Sequence, residues 1–339
     1  MTLLAVPVID LSPFRSGDET QRRAVAREVG QACRDIGFLI VSGHGVPDDL
    51  IEQTYQTAKT FFALPVAEKE AVDRPAPNVV RGYSAVGGEG LSYSLDEPTP
   101  PDLKESFTIG PVDFDRDDPY FTGPQAGPHF AENAWPARPE ALRPVWTAYF
   151  SAMEDLAADL MRMFALALDL PEAYFDDKID RHISMFRALR YPDQIQPPEP
   201  GQMRAGAHSD YGSLPILRQE QRPGGLQVQN KAGEWVDVPA IPGTFVVNIG
   251  DLMMQWTNDL WTSTMHRVVN PPRDLAAESD RISLVFFHQP NYDAMVSCLP
   301  SCATPERPAK YAPVSSGDHL SSKFVKQTTF GEGVASAAA

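Results

Sequence analysis

After Pro171 the chain breaks into eight short apolar or alternating runs, at 182–191, 203–209, 213–219, 225–229, 234–238, 244–249, 263–269 and 281–288, punctuated by Gly, Pro and Asn. Short runs at near-regular spacing predict strands that close into a sandwich or barrel, of which a jelly roll is one form. The preceding part has a different rhythm. VPVIDL (6–11) is β-like, and 19–36 carries a helical stripe of Val25, Val29, Ala32, Cys33 and Ile36 that Gly37 closes. GFLIVSGHG (37–45) reads as a buried strand; 48–63 and 139–169 read as helices, the second being the longest amphipathic stretch. Between 73 and 136, Pro, Gly and Asp leave little periodicity. The expected class is mainly β with flanking α-helices. EPTPP (97–101) and QPPEP (196–200) read as surface loops rather than domain linkers, and VASAAA (334–339) as a frayed tail.

One of these runs poses a chemical question. In RAGAHSDYGSL (204–214), His208 and Asp210 stand two apart, so an extended chain points both to one face. An isolated H-x-D is a weak signal, equally expected of a wet pair on a rim. His266 follows 56 residues later in TSTMHRVVNPP. Two histidines and one carboxylate form the facial donor set of non-haem Fe(II) oxygenases, which leaves positions open for co-substrate and O₂. The same set can hold a zinc that activates water. In RISLVFF (281–287), Arg281 and Ser283 share a strand face and offer a charge-assisted clamp for a carboxylate.

Taken in order, H-S-D, H-R-V and R-I-S resemble the isopenicillin N synthase-like family of non-haem Fe(II)/2-oxoglutarate-dependent dioxygenases. LQV (226–228), NIGD (248–251) and WTND (256–259) fit the same pattern, as do VPVIDL, RDIGFLIVSGHGVP, RGYSAVG and DLKESF before them. The likeness runs from about residue 6 to about 325. It implies a double-stranded β-helix, or distorted jelly roll, with iron near one mouth. The expected organisation is one compact unit over 1–339. In it, 1–170 packs on the barrel, 171–300 forms the core with the iron site, and 301–339 supplies a C-terminal helix and tail.

The resemblance further implies that His208, Asp210 and His266 bind Fe(II), while Arg281 and Ser283 hold the far carboxylate of 2-oxoglutarate near Tyr191. Leu189 stands where many plant members carry an asparagine. Oxidation of a small molecule in specialised metabolism, by hydroxylation, desaturation or cyclisation, would then release succinate and CO₂. On the strand 182–191, parity turns Met185, Arg187 and Leu189 inward with Tyr191. Arg187 is thus a candidate anchor for an anionic substrate, the alternative being a partner for a structural acid. Arg81 and Tyr83 in RGYSAVG are candidates for the pocket mouth. Three other readings stay open. One is an Fe(II) oxidase of the isopenicillin N synthase or aminocyclopropane-carboxylate oxidase type that consumes no 2-oxoglutarate. The others are a zinc hydrolase and a non-catalytic ligand-binding module.

Composition narrows the partners. A formal net charge of −16 and a pI near 4.8 disfavour nucleic acid and anionic membranes. Cys33, Cys298 and Cys302 form no C-x-x-C, so neither a disulfide framework nor a thiolate zinc site is expected. The start lacks a basic n-region, and no stretch approaches the roughly 20 apolar residues of a membrane span. A cytoplasmic address follows. VGGEG (86–90) lacks the context of a phosphate loop, and no G-x-S-x-G suggests a serine hydrolase. His44, His182 and His288 read as structural, His129 and His319 as solvated. Oligomeric state is open.

Overall fold

The computed structural model describes residues 5–76, 78–95 and 99–328; the tail expected at 334–339 lies outside them. Each of the eight runs after Pro171 contains a strand. Apart from a two-stranded pair at Met295–Val296 and Val314–Ser315, the strands in chain order are β1 (Val8–Asp10), β2 (Phe38–Ser42), β3 (Gly82–Ser84), β4 (Glu105–Ile109), β5 (Met185–Tyr191) and β6 (Ala205–His208). They continue with β7 (Leu214–Arg218), β8 (Leu226–Gln229), β9 (Trp235–Asp237), β10 (Phe245–Asn248), β11 (His266–Val268) and β12 (Arg281–His288). An eight-stranded sheet runs β1-β2-β10-β7-β12-β5-β4-β3, and a four-stranded sheet runs β6-β11-β8-β9. Together they form the jelly-roll core, with side chains of both sheets facing a common cavity.

Parity sorts the central strands. On β5 and β12, Phe186, Ala188, Leu284 and Phe286 turn outward onto the helix Leu142–Ala167, where Trp146 meets Phe186 and Phe150 meets Phe286 edge-on. The other face of the same strands carries Met185, Arg187, Leu189, Tyr191, Arg281, Ser283 and Val285 into the cavity. Both faces are covered, so these strands read as nearly continuous apolar runs. The helices Glu19–Asp35 and Asp48–Phe62 extend the outer layer against the helix Leu142–Ala167.

Among the elements that escaped the sequence pattern, two bear on the site. β4 lies in the aperiodic segment 73–136 and is buried throughout, so it shows no alternation. Its Glu105 is sequestered by Lys69 at 2.6 Å, Arg190 at 2.9 Å and the Tyr83 hydroxyl at 2.6 Å. The helix Asp251–Trp256 has six residues, too few to display a helical period. At its start the chain passes so close to Gly212 that a Cβ on Gly250 would sit 2.2 Å from the Gly212 carbonyl oxygen. That approach lets the Asp251 amide donate to the Asp210 carbonyl at 2.7 Å. The helix Ser316–Thr328 then lays Leu320 and Phe324, four residues apart, over the cavity.

Candidate active site

β6 and β11 pair with His208 directly opposite His266. β6 ends at His208, so Asp210 sits just beyond the strand rather than within it, yet remains buried on the same side. Each imidazole is oriented by its own strand. His208 Nδ1 lies 2.7 Å from the Gly206 carbonyl and His266 Nδ1 lies 3.1 Å from the Thr264 carbonyl. A carbonyl can only accept, so both Nδ1 atoms carry a proton and Nε2 is the nitrogen each ring turns toward a metal. The Asp210 carboxylate approaches His266 Nε2 at 3.3 Å and His208 Nε2 at 4.0 Å. All three ligand atoms fall within 4.8 Å of one another.

Donors at about 2.1 Å from one first-row ion lie roughly 3 Å apart when cis. The His266–Asp210 spacing of 3.3 Å is close to that, and the His208–Asp210 spacing of 4.0 Å is wider. Asn248 Nδ2 donates to Asp210 Oδ2 at 2.7 Å and fixes the carboxylate plane. Burial pushes the His208 imidazole down to about 3, with His266 adding to the effect. Burial alone would raise Asp210, but His266, His208 and Asn248 bring it down to about 2. Asp210 in turn raises the His266 imidazole against its burial, so a metal arriving here takes the place of the His266–Asp210 contact.

On the opposing sheet stands Arg281, 3% exposed. Its Nη1 donates to the Gly224 carbonyl at 3.0 Å, its guanidinium lies 5.6 Å from the Tyr191 ring centre, and its Nε is buried without a partner. It makes no ion pair among the described residues. Burial lowers its pKa, as expected of a cation awaiting an anion. Ser283 follows on the same face, and both line the cavity with Tyr191.

The remaining sequence candidates divide. Met185 and Leu189 line the cavity; Arg187 does too, but its Nη2 already meets Glu89 and the Ser106 hydroxyl. Arg81 and Tyr83 do not reach the pocket mouth. Arg81 is 2% exposed, its guanidinium bound to the Val80 and His129 carbonyls, and it is absent from the cavity wall. Tyr83 is drawn into the Glu105 cluster by its hydroxyl. Several wall residues were not foreseen: Lys104, Thr108, Gln289, Phe38 and Asn248. Lys104 and Asn248 lie inside quoted motifs, DLKESF and NIGD, but neither motif says which member faces inward.

The other histidines have local roles. His44 Nδ1 accepts from the Val46 amide, His288 Nδ1 meets the Ser213 hydroxyl at 2.8 Å, and His182 pairs with Glu154 at 3.0 Å. His129 and His319 are half-buried rather than solvated, and burial lowers both, His129 to about 4.

Comparisons with known proteins agree with this geometry. Residues 6–138 match the model described as non-haem dioxygenase in morphine synthesis N-terminal, and 182–290 match the 2OG-Fe(II) oxygenase superfamily. A 2-oxoglutarate-Fe(II) type oxidoreductase of Emericella nidulans is 34% identical, over 94% of this chain and 89% of its own. A homoarginine-6-hydroxylase of Oryza sativa is also 34% identical, over 95% and 97%. A Neurospora crassa structure in complex with alpha-KG and thymine superposes with a TM-score of 0.81 at 33% identity, covering 94% of this chain and 96% of that one. No helix among the described residues is long and apolar enough to cross a membrane. The matched segments, the jelly roll and the buried His-Asp-His cluster place this chain in the 2OG-Fe(II) oxygenase superfamily, as an Fe(II)- and 2-oxoglutarate-dependent dioxygenase of the isopenicillin N synthase-like type.

Proposed function

We propose that His208, Asp210 and His266 hold the Fe(II), that Arg281 and Ser283, backed by Tyr191, take the far carboxylate of 2-oxoglutarate, and that a small molecule is oxidised in the cavity beneath Leu320 and Phe324. The observation that carries this reading is the pairing of a buried three-donor cluster with a buried arginine on the facing sheet that makes no ion pair among the described residues.

Bound there, Fe(II) with 2-oxoglutarate and O₂ supplies the oxidising power, releasing succinate and CO₂. The chain's own contribution is orientation and dryness. The Gly206 and Thr264 carbonyls hold the Nδ1 side of each ring and so aim both Nε2 atoms inward. Asn248 keeps Asp210 from rotating away. Arg281 supplies a fixed positive charge whose desolvation is already met by folding, so a carboxylate arriving there gains a charge-assisted bond at little further cost. Phe38, Leu91, Leu226, Val268 and Val285 exclude water around the reacting centre.

The comparisons favour this enzyme over a 2-oxoglutarate-independent oxidase or a zinc hydrolase. Specialised metabolism is the setting we propose, and a relative named validamycin A dioxygenase from Streptomyces hygroscopicus supports it. The test is anaerobic reconstitution with Fe(II) and 2-oxoglutarate, then O₂ and a substrate panel followed by mass spectrometry. Succinate formed in step with oxidised product supports the assignment. Zinc-supported hydrolysis without O₂ consumption would overturn it.

A further inference from the structure

Beyond the proposed co-substrate clamp, the cavity wall carries a second charged device. Lys104, just before β4, and Arg187 on β5 both face the cavity and share one carboxylate, Glu89. Lys104 Nζ sits against Asp102 and lies 3.9 Å from Glu89 Oε2; Arg187 Nη2 meets Glu89 Oε1, which Arg74 Nη2 also reaches at 2.5 Å. All but Arg74 are less than a tenth exposed. Burial alone would raise Glu89, yet Arg187, Lys104 and Arg74 hold it far below the ordinary carboxylate range. Among the described residues, three cations against two carboxylates leave the network one positive charge in excess. The excess faces inward, because Lys104 and Arg187 line the cavity whereas Glu89, Asp102 and Arg74 do not. Arg187 Nε is buried with no partner, and the Lys104 ammonium has three donors against two carboxylate neighbours.

The rest of the site balances without this charge. On the proposed assignment, on which this inference rests, Fe(II), the Asp210 carboxylate, the 2-oxoglutarate dianion and Arg281 sum to zero. One buried cationic charge is then left, beside a wall formed by Thr108, Met185, Leu91, Tyr211 and Phe324. Leaving it unmatched in a dry pocket is costly, whereas a substrate carboxylate would meet both its charge and its vacant donors. We infer that the substrate is a small organic carboxylate, its anionic end held by Lys104 and Arg187 and its apolar body by the aromatic wall. Asp102 is a positioning residue. It holds Lys104 through Oδ2, and through Oδ1 it accepts from the Gly206 amide at 2.9 Å, one peptide unit from the carbonyl that orients His208. The substrate anchor and the metal ligand are thus tied to a single carboxylate.

The test uses the full chain loaded with Mn(II) and saturating 2-oxoglutarate, which reports binding without turnover and keeps added carboxylates off the metal. Phenylacetate, phenylacetamide and phenethylamine serve as matched anionic, neutral and cationic probes in titration calorimetry. Phenylacetate is expected to bind about tenfold tighter than the amide, the worth of one charge-assisted bond, and the amine weakest. Lys104→Met strands Asp102 and invites misfolding, so the compensated variant Asp102→Asn with Lys104→Met is measured beside it; the new amide oxygen can still accept from Gly206. That variant keeps the network's net charge and Arg187 but removes the ammonium donors, so its preference for the anion should shrink severalfold. Equal binding of amide or amine by the wild type, failure of all three probes to bind, or an undiminished anion preference in the variant would each overturn the inference. Titration of 2-oxoglutarate itself into the Mn(II)-loaded wild type reads the co-substrate assignment separately.

Discussion

Two arginines enter one cavity from neighbouring strands and are held in opposite ways. In the β5–β12 register, Arg281 stands opposite Tyr191 and Arg187 opposite Val285, about four residues or roughly 13 Å apart along the sheet. Arg281 has a carbonyl, an aromatic neighbour and no ion pair among the described residues. Arg187 has Glu89 and Ser106, and through Glu89 it joins Arg74 and Lys104. The difference teaches how one pocket can keep one cation open while committing another to the fold. A lone cation suits an invariant dianion that arrives at every turnover, and the networked cation keeps the fold intact while offering a fractional charge to something more variable.

The largest expected effect removes the centre that both arginines flank. Asp210→Ala should take succinate release to background and abolish metal-dependent binding of 2-oxoglutarate in calorimetry, although Arg281 is untouched. Wild-type turnover by this variant would break the comparison at its root, because Arg281 would then be recognising something other than a metal-bound co-substrate.

The next experiment sets the two arginines directly against each other. Arg187→Met leaves Glu89 buried with Arg74 and a distant Lys104, and should cost about 3 kcal/mol, the low end for a broken buried pair. Arg281→Met strands no acid, so its denaturation midpoint should match or exceed the wild type. Its deficit appears instead in the KM for 2-oxoglutarate, raised about ten- to hundredfold for a lost charge-assisted bond of roughly 1.5–3 kcal/mol. Equal destabilisation in the two variants would show that the distinction is false.

The contrast also marks what was legible in the chain. His266 rests on the ordered set of motifs, whereas strand runs, the His208–Asp210 pair and the shared face of Arg281 and Ser283 follow from period-two parity, which is local. So does the inward turn of Arg187. Its partner could not be read, because Glu89 lies 98 residues away in a glycine-rich loop and pairing depends on β4 joining β5. β4 itself was hidden by burial on both faces, and Arg81 and Tyr83 were misplaced because segment 73–136 offers no periodicity to orient them. The Asn248 contact with Asp210 likewise spans two strands of different sheets' surroundings and leaves no local trace.

Acid should separate the network from the lone cation by a smaller margin. Glu89 is depressed from 4.5 by its three cations, after burial alone would have raised it. A depressed carboxylate contributes stability that is complete above its unfolded pKa, near 4.5, and is lost as pH falls through the folded value. Glu89→Gln should therefore be destabilised at neutral pH, with the gap to wild type narrowing as pH drops below 4.5 in urea titrations. A gap that stays constant down to acid unfolding would mean that Glu89 is not titrating against the arginines.

The finest version of the comparison rests on two serines. In the register of the sheet, Ser106 of β4 and Ser283 of β12 lie on either side of the same β5 residue, Leu189. Both are buried, at 2% and 4% exposure, so a simple packing loss on truncation to Ala should be nearly equal for the two. Their hydroxyls differ in what they serve. Ser106 accepts from Arg187 at 2.8 Å in the folded chain, whereas Ser283 stands beside Arg281, where the carboxylate of 2-oxoglutarate is proposed to dock. Ser106→Ala should lower unfolding free energy by about 1 kcal/mol, one hydrogen bond, and leave the KM for 2-oxoglutarate unchanged. Ser283→Ala should do the reverse, raising that KM about fivefold with its denaturation midpoint held. If both substitutions moved the same observable, position across Leu189 rather than ligand recognition would govern the serines, and the two arginines would have to be reassigned with them.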